Sequence, residues 1–341
     1  MPGDVIDSGA IFAPLAEFRR IGLAVSGGPD SLALLLLAAD FANQHAAHER
    51  FVVYSVDHGL RSEAAGEVAY VTEAARKLGF AASALKWEGA KPAAGIQQAA
   101  RIARYGLIAE AMAADGTEIL LTAHHLGDQA ETVLMRLAHG SGPEGLRGMD
   151  YFAEIAGLVV VRPLLGIDPA EFAKVVGASD LKPVIDPSNS DTDYERVRWR
   201  QMLPQLAALG LDARRLARFA NRMRDADRAL ASMALATQTG LDLATGARSV
   251  ERAVLVRLPR AVAIRVMANL LDQVSDGQKP HDLAPIEVLT DRLRIETALK
   301  RTSLHGCLIS SDGTTIVVVR EPGRQAARQS RVRSDPSVTR N

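Results

Sequence analysis

A chain of 341 residues exceeds what one core needs and suits a larger and a smaller domain. With 48% hydrophobic and 23% charged residues it is an ordinary globular protein; the apolar run Leu32–Ala39 is too short to cross a bilayer, and the N-terminal segment lacks the order of a secretory leader. A single cysteine, Cys307, excludes an internal disulfide framework and any multi-cysteine zinc or iron–sulfur site, so the expected compartment is the cytoplasm, with no membrane involved.

In chain order, Ile21–Val25 reads as a strand, Ser31–Phe41 as a helix, Phe51–Val56 as a strand and Glu63–Leu78 as a helix. Ile96–Ala114 is helical, Ile119–Ala123 a strand, Asp128–Ala138 a helix and Leu158–Val161 a further strand. Short Val, Ile and Leu runs alternating with helices predict a parallel sheet with helices on both faces. The second half reads as helical from Pro204 to about Ala236, over Val250–Val274 and over Pro285–Lys300. "CLISSDGTTIVVVRE" then gives two strands turning at Asp312-Gly313. From Gly323 onward large apolar residues are lacking and a basic, disordered tail is expected.

The formal net charge of zero hides an asymmetry. Residues 1–195 carry 15 Lys and Arg against 26 Asp and Glu, whereas residues 196–341 carry 25 against 14. The basic half is mostly arginine, a footprint for a polyanion, although mutual attraction of the halves would also use it.

"AVSGGPDS" places two glycines, a proline and several hydroxyl or carboxylate side chains between the first strand and its helix. Ligands of open α/β sheets bind at this edge, where the next helix offers free N–H groups and its positive dipole end. Gly27 and Gly28 allow close backbone approach, Ser26 and Ser31 supply hydroxyls, and Pro29 fits the first helical turn. Asp30 beside a phosphate makes sense when Mg²⁺ lies between them, so the implied ligand is a magnesium-bound polyphosphate. A capped tight turn is the plainer explanation. The pattern is neither the Walker loop nor the dinucleotide fingerprint; it resembles the PP-loop of ATP pyrophosphatases.

Further segments narrow the resemblance: "YSVDHGLRSEA", "AARIARYGLIAEAM", "TAHHLGDQAETVLMRLAHGSGPEGLRGM", "VRPLL" and "PVIDPSNSDTDYERVRWRQMLPQL". In this order, over roughly residues 20–206, they are similar to the N-terminal domain of the tRNA(Ile)-lysidine synthetase family. The resemblance implies a PP-loop, adenine nucleotide alpha-hydrolase-like domain at 1–205. After it come a smaller, mainly helical tRNA-binding domain with a β-hairpin at 206–322 and a tail at 323–341.

It also implies ATP and Mg²⁺ as cofactors, with free L-lysine and tRNA(Ile) bearing a CAU anticodon as partners. The wobble cytidine would be adenylated at its C2 oxygen and then attacked by the lysine side-chain amine. Ser26 to Ser31, Asp57, His58 and His124 would bind the nucleotide, and Asp30, His125 and Asp128 would be catalytic, with Asp30 and Asp128 on the metal. Arg101, Arg104, Glu131, Arg196 and Arg198 would contact substrate or tRNA, as would Arg214, Arg218 and Arg222, which recur every four residues on one helix face.

Duller roles stand beside these: Asp57 and His58 capping a loop, Glu131 pairing with a base, and the "ERVRWR" arginines forming ion pairs. His124 and His125 are adjacent and diverge, which disfavours a shared transition metal. Where the family reads H-x-D-D-Q, this chain has Gly127 before Asp128. The oligomeric state stays open, a homodimer included. Another PP-loop enzyme acting on tRNA and a non-catalytic nucleotide-binding module remain the alternatives.

Overall fold

The computed structural model describes residues 6–92, 95–186, 191–242, 244–275 and 282–322. Its packing divides into two compact units, Met1–Gly140 with Gly145–Arg222, and Ser141–Glu144 with Met223–Asn341. Among the described residues no helix is long and apolar enough to cross a membrane.

The first unit runs α1 (Ser8–Phe12), β1 (Ile21–Ala24), α2 (Pro29–His45), β2 (Phe51–Asp57), α3 (Ala64–Lys77), β3 (Ala81–Lys86), α4 (Ile96–Asp115), β4 (Ile119–Leu121) and α5 (Leu126–Ala138). It continues through the end of α6 (Pro143–Leu146), β5 (Phe152–Ile155), β6 (Leu158–Val161), α7 (Pro169–Gly177), α8 (Glu195–Ala208) and the start of α9 (Ala213–Leu235). Six strands form one sheet in the order β3-β2-β1-β4-β6-β5, parallel throughout except for the β5–β6 pair.

β1 and β4 are buried on both faces, which is why their sequences are short unbroken apolar runs rather than alternating ones. On one face α2, apolar nearly all round, packs with Phe12, Phe51, Val71 and Phe172. On the other face α4 packs Tyr105, Ile108 and Met112 against Val52, Tyr54, Leu120 and Val160. Each such buried large side chain contributes about 1.5–3 kcal/mol before conformational entropy is subtracted. Gly22 lets Tyr54 cross β1, since a Cβ there would stand 2.8 Å from the ring.

The second unit holds the remainder of α9, then β7 (Gly240–Leu241), β8 (Arg248–Glu251), α10 (Arg252–Arg257), α11 (Arg260–Ser275), α12 (Leu283–Ile295), β9 (Leu299–Leu304), β10 (Cys307–Ser311) and β11 (Thr315–Arg320). Its five strands are antiparallel in the order β7-β8-β11-β10-β9. The expected hairpin is thus the middle of a larger sheet. Asp312 makes its turn by accepting from the N–H groups of Thr314 and Thr315, and Gly313 takes φ +99°. Those donors hold the Asp312 carboxyl down at about 2.

Several expected boundaries shift. The helix over Pro204–Ala236 is two helices, parted at Gly210 with φ +91°, and Pro204 lies inside α8. Val250–Val274 begins in β8 and breaks again at Leu258-Pro259, where the residue before proline is extended. Lys300 belongs to β9, while β3, β5 and α7 were not read from the sequence at all. The seam between units falls after Arg222 rather than at 205, because Leu216 and Ala220 of α9 pack with Ala130, Val133 and Leu134 of α5. The expected tail from 323 lies outside the described residues.

Candidate active site

The loop from β1 into α2 is tied by its own hydroxyls. Ser31 Oγ donates to the Gly28 carbonyl at 2.9 Å and accepts from the Ser26 N–H at 3.2 Å. Gly28 caps α2 without any side-chain bond and Pro29 opens the first turn, so the helix N-terminus lies on the cavity wall with its N–H groups uncapped and Asp30 the one acid in its first turn. Gly27 sits at φ +88°, and a Cβ there would stand 3.0 Å from Val184 Cγ2 and 3.2 Å from Val71 Cγ2. Its carbonyl accepts from the Val184 N–H at 2.9 Å, which fastens the segment around Val184 to the loop.

At the end of β4, His125 caps α5. Its Nδ1 accepts from the N–H groups of Gly127 at 3.0 Å and Asp128 at 3.4 Å, while Asp128 Oδ2 accepts from the His125 N–H at 3.0 Å. With Nδ1 an acceptor, the proton of the neutral ring sits on Nε2, 3.5 Å from Asp30 Oδ2 and 3.5 Å from Asp128 Oδ2. Burial opposes the imidazolium, but the Asp30 bond and the charges of Asp128, Asp30 and Glu131 lift the ring's pKa above its ordinary value. A second proton would land on Nδ1 and displace the cap. Gly127 is required by this arrangement, since a Cβ there would lie 2.8 Å from His125 Cε1.

Burial pushes the Asp128 carboxyl upward, yet His125 and Arg196 beside it bring it below its usual range, so it is charged at neutral pH. Arg196 donates to Asp128 Oδ1 at 2.9 Å and to Glu131 Oε2 at 2.6 Å; Arg200 donates to Glu131 Oε1 at 2.6 Å. Glu131 is only 1% exposed, so two arginines from adjacent turns of α8 clasp a carboxylate that solvent does not reach. Arg198 instead donates to the Thr192 and Asp193 carbonyls.

Across the sheet edge, Asp57 Oδ1 accepts from the Gly59 N–H at 2.7 Å and so forms a turn. His58 lines the cavity; burial and the Arg104 charge hold its pKa below the ordinary value. His124 Nδ1 meets Thr122 Oγ1 at 2.8 Å, and burial, with help from Arg162, Arg196 and Arg101, keeps the ring neutral with its pKa down at about 4.

These features surround one cavity of about 860 Å³, lined among others by Ser26, Gly28, Pro29, Asp30, Ser31, His58, Arg104, His124, Asp128 and Arg200. An uncapped helix N-terminus and paired hydroxyls fit a polyphosphate. The Asp30 side chain, 41% exposed and touched among the described residues only by His125 Nε2, has lone pairs free for Mg²⁺. Asp128 fits a metal less directly, because Arg196 and the His125 N–H already engage its two oxygens. Among the described residues no group of three or more His, Cys, Asp or Glu forms a metal-binding cluster.

The structure therefore brings Ser26 to Ser31, His58, His124, His125, Asp128 and Arg104 together. Glu131 and Arg196 lie in an ion pair and Asp57 in a turn, as the plainer readings have it, while Arg198 bonds backbone carbonyls instead. Arg214, Arg218 and Arg222 stay exposed along α9. Sequence reasoning missed Val184, Tyr105 and the pair of Arg61 with Asp186 at 3.1 Å on the cavity wall. Their only signal was membership of the motif segments.

A family model described as the PP-loop domain matches residues 6–206. The tRNA(Ile)-lysidine synthase of Bradyrhizobium sp. is 37% identical over 95% of this chain and 96% of its own length. That of Methylobacterium nodulans is 42% identical over 89% and 91%. Among solved structures, the U34-tRNA thiolase NcsA from Methanococcus maripaludis superposes with a TM-score of 0.54 at 14% identity, over 64% of this chain and 78% of that one, which shows a shared fold. Similarity at the level of the two synthases runs through both compact units, and the chain belongs to the tRNA(Ile)-lysidine synthases, a family built on the PP-loop domain.

Proposed function

We propose that the chain uses ATP to adenylate the C2 oxygen of the wobble cytidine in tRNA(Ile) with a CAU anticodon, then joins free L-lysine to C2 through its side-chain amine. The first step releases pyrophosphate and the second AMP. The observation that carries this reading is the meeting of Asp30 and Asp128 on one edge of His125, beside the uncapped start of α2.

The α2 N–H groups and the Ser26 and Ser31 hydroxyls orient the triphosphate, so that displacement at the α-phosphorus meets a fixed leaving group. Asp30 is the residue that would hold Mg²⁺, which would supply charge neutralisation for the departing pyrophosphate. His125 keeps Asp30 in place through its Nε2–H, and its own ring is fixed by the cap on α5. The lysine ammonium gives up one proton to solvent, its nitrogen forms the bond to C2, and the C2–O bond breaks with its electron pair leaving on AMP. Asp128, ionised and on the cavity wall, draws that ammonium in. Arg196, itself held by Glu131, holds Asp128 rather than touching substrate.

The excess of basic residues beyond 195 and the exposed Arg214, Arg218 and Arg222 support binding of the tRNA backbone. The test is transfer of labelled lysine to tRNA(Ile) with ATP and Mg²⁺, each omitted in turn. Dependence on every component is expected. Cleavage of ATP to AMP and pyrophosphate without lysine transfer would keep the adenylating chemistry and reject the nucleophile.

A further inference from the structure

Gln129 on α5 is 3% exposed and spends both ends of its amide on one residue. Its Oε1 accepts from the Met149 N–H at 2.7 Å and its Nε2 donates to the Met149 carbonyl at 3.0 Å. A backbone N–H can meet only the oxygen of an amide, so this seating has one orientation. The fit requires a glycine beside it: a Cβ at Gly148, where φ is +69°, would stand 2.6 Å from Gln129 Oε1. With both groups engaged Gln129 has nothing left to offer a substrate, yet it directly follows Asp128 in the first turn of α5.

Such a reciprocal bond could serve the loop or the helix. The loop does not depend on it. Arg136, two turns further along α5, donates to the Gly145 and Gly148 carbonyls at 2.8 Å each, and beyond Met149 the Arg162 side chain donates to the Asp150 carbonyl at 2.6 Å. The body of α5 is held as well, by Ala130, Val133 and Leu134 packing with Leu216 and Ala220. What depends on Gln129 is the first turn. There the Leu126 N–H donates to the Ile167 carbonyl at 3.0 Å, and one such bond alone is a pivot; a second anchor at Gln129 fixes the rotation. Consecutive residues on a helix point about 100° apart. The rotation that seats Gln129 on Met149 therefore also sets the direction in which Asp128 leaves the helix, and with it the place of the His125 ring that caps the turn.

We propose that Gln129 is a positioning residue for the reaction: its two bonds to Met149 brace the first turn of α5 and so hold Asp128 and His125 in register with Asp30. The inference rests on the lysine-transfer reading and adds to it a group that never touches substrate.

The test compares wild type with Gln129→Met, which keeps the length and loses both bonds, and with Gln129→Glu. A carboxyl here reproduces both bonds only when protonated, donating its O–H to the Met149 carbonyl; ionised, it sets a charge against that carbonyl. Burial favours the neutral acid, so lowering the pH restores the brace. All three proteins are assayed well below their melting temperatures. For Gln129→Met, kcat is expected to fall about 10–100-fold with the KM of ATP and the Kd of tRNA unchanged. For Gln129→Glu, kcat relative to wild type at the same pH is expected to rise as the pH is lowered. A lowered melting temperature with kcat intact, or a Gln129→Glu ratio that is low and flat with pH, overturns the brace and leaves Gln129 a stabiliser of the fold. Both variants are also read by tRNA-dependent release of pyrophosphate. Absence of lysine transfer in the wild-type chain overturns the reading of the reaction, while the brace stands or falls on the pyrophosphate measurement.

Discussion

Asp30 Oδ2 lies 3.5 Å from Nε2 of His125, linking the loop after β1 to the helix after β4. These motifs stand far apart in sequence and meet because β1 and β4 are neighbours in the sheet.

His125 has two separable roles, capping α5 and orienting Asp30. Asn is a good N-cap but too short to reach Asp30. His125→Asn is expected to keep the melting temperature within a few degrees while lowering kcat about 100-fold; thermal melts and single-turnover assays read the two roles apart.

Asp30→Asn removes the open carboxylate and leaves the packing of α2 intact. Pyrophosphate release is expected to fall at least 100-fold with no loss of stability. Near-normal turnover would remove Asp30 from the mechanism.

Gly127→Asp, which restores the residue usual in the family, is expected to lower activity here. The new Cβ meets His125 Cε1 at 2.8 Å and drives the ring off Asp30. Recovery or improvement of lysine transfer would show that the ring has another stable seat.

His124 is neutral in the fold with its pKa at about 4, against about 6.5 when unfolded. Between these values the unfolded state binds the extra proton, so stability falls as pH drops from 6.5 toward 4 and then levels off. Denaturant titrations of His124→Gln are expected to lose this slope.

Replacing Arg214, Arg218 and Arg222 with Gln is expected to weaken tRNA binding and to flatten its salt dependence, by roughly one in log–log slope for each phosphate that is no longer neutralised. Filter binding over a salt series measures it, and an unchanged slope would place the polyanion elsewhere.

The parallel sheet was legible because β1, β2, β4 and β6 are apolar on both faces and each is followed by a patterned helix or turn. β3 was hidden: it is an edge strand of mostly Ala with one Ser, Leu and Lys, half-exposed and without period. Within the site, Ser26 to Ser31 and His125 could be found from their motifs, since glycine, hydroxyl and cap chemistry act locally. The clasp on Glu131 could not, because whether Arg196 meets phosphate or carboxylate depends on how α8 docks against α5.

The bond from Val184 N–H to the Gly27 carbonyl has a bearing on biogenesis. A ribosome adding 5–20 residues per second takes roughly 8–30 s to travel between these two positions. During that interval the growing chain holds β1, β2 and β4 but lacks the segment that clamps the glycine loop. The glycine loop thus gains this clamp only after the strands that flank it have been synthesised.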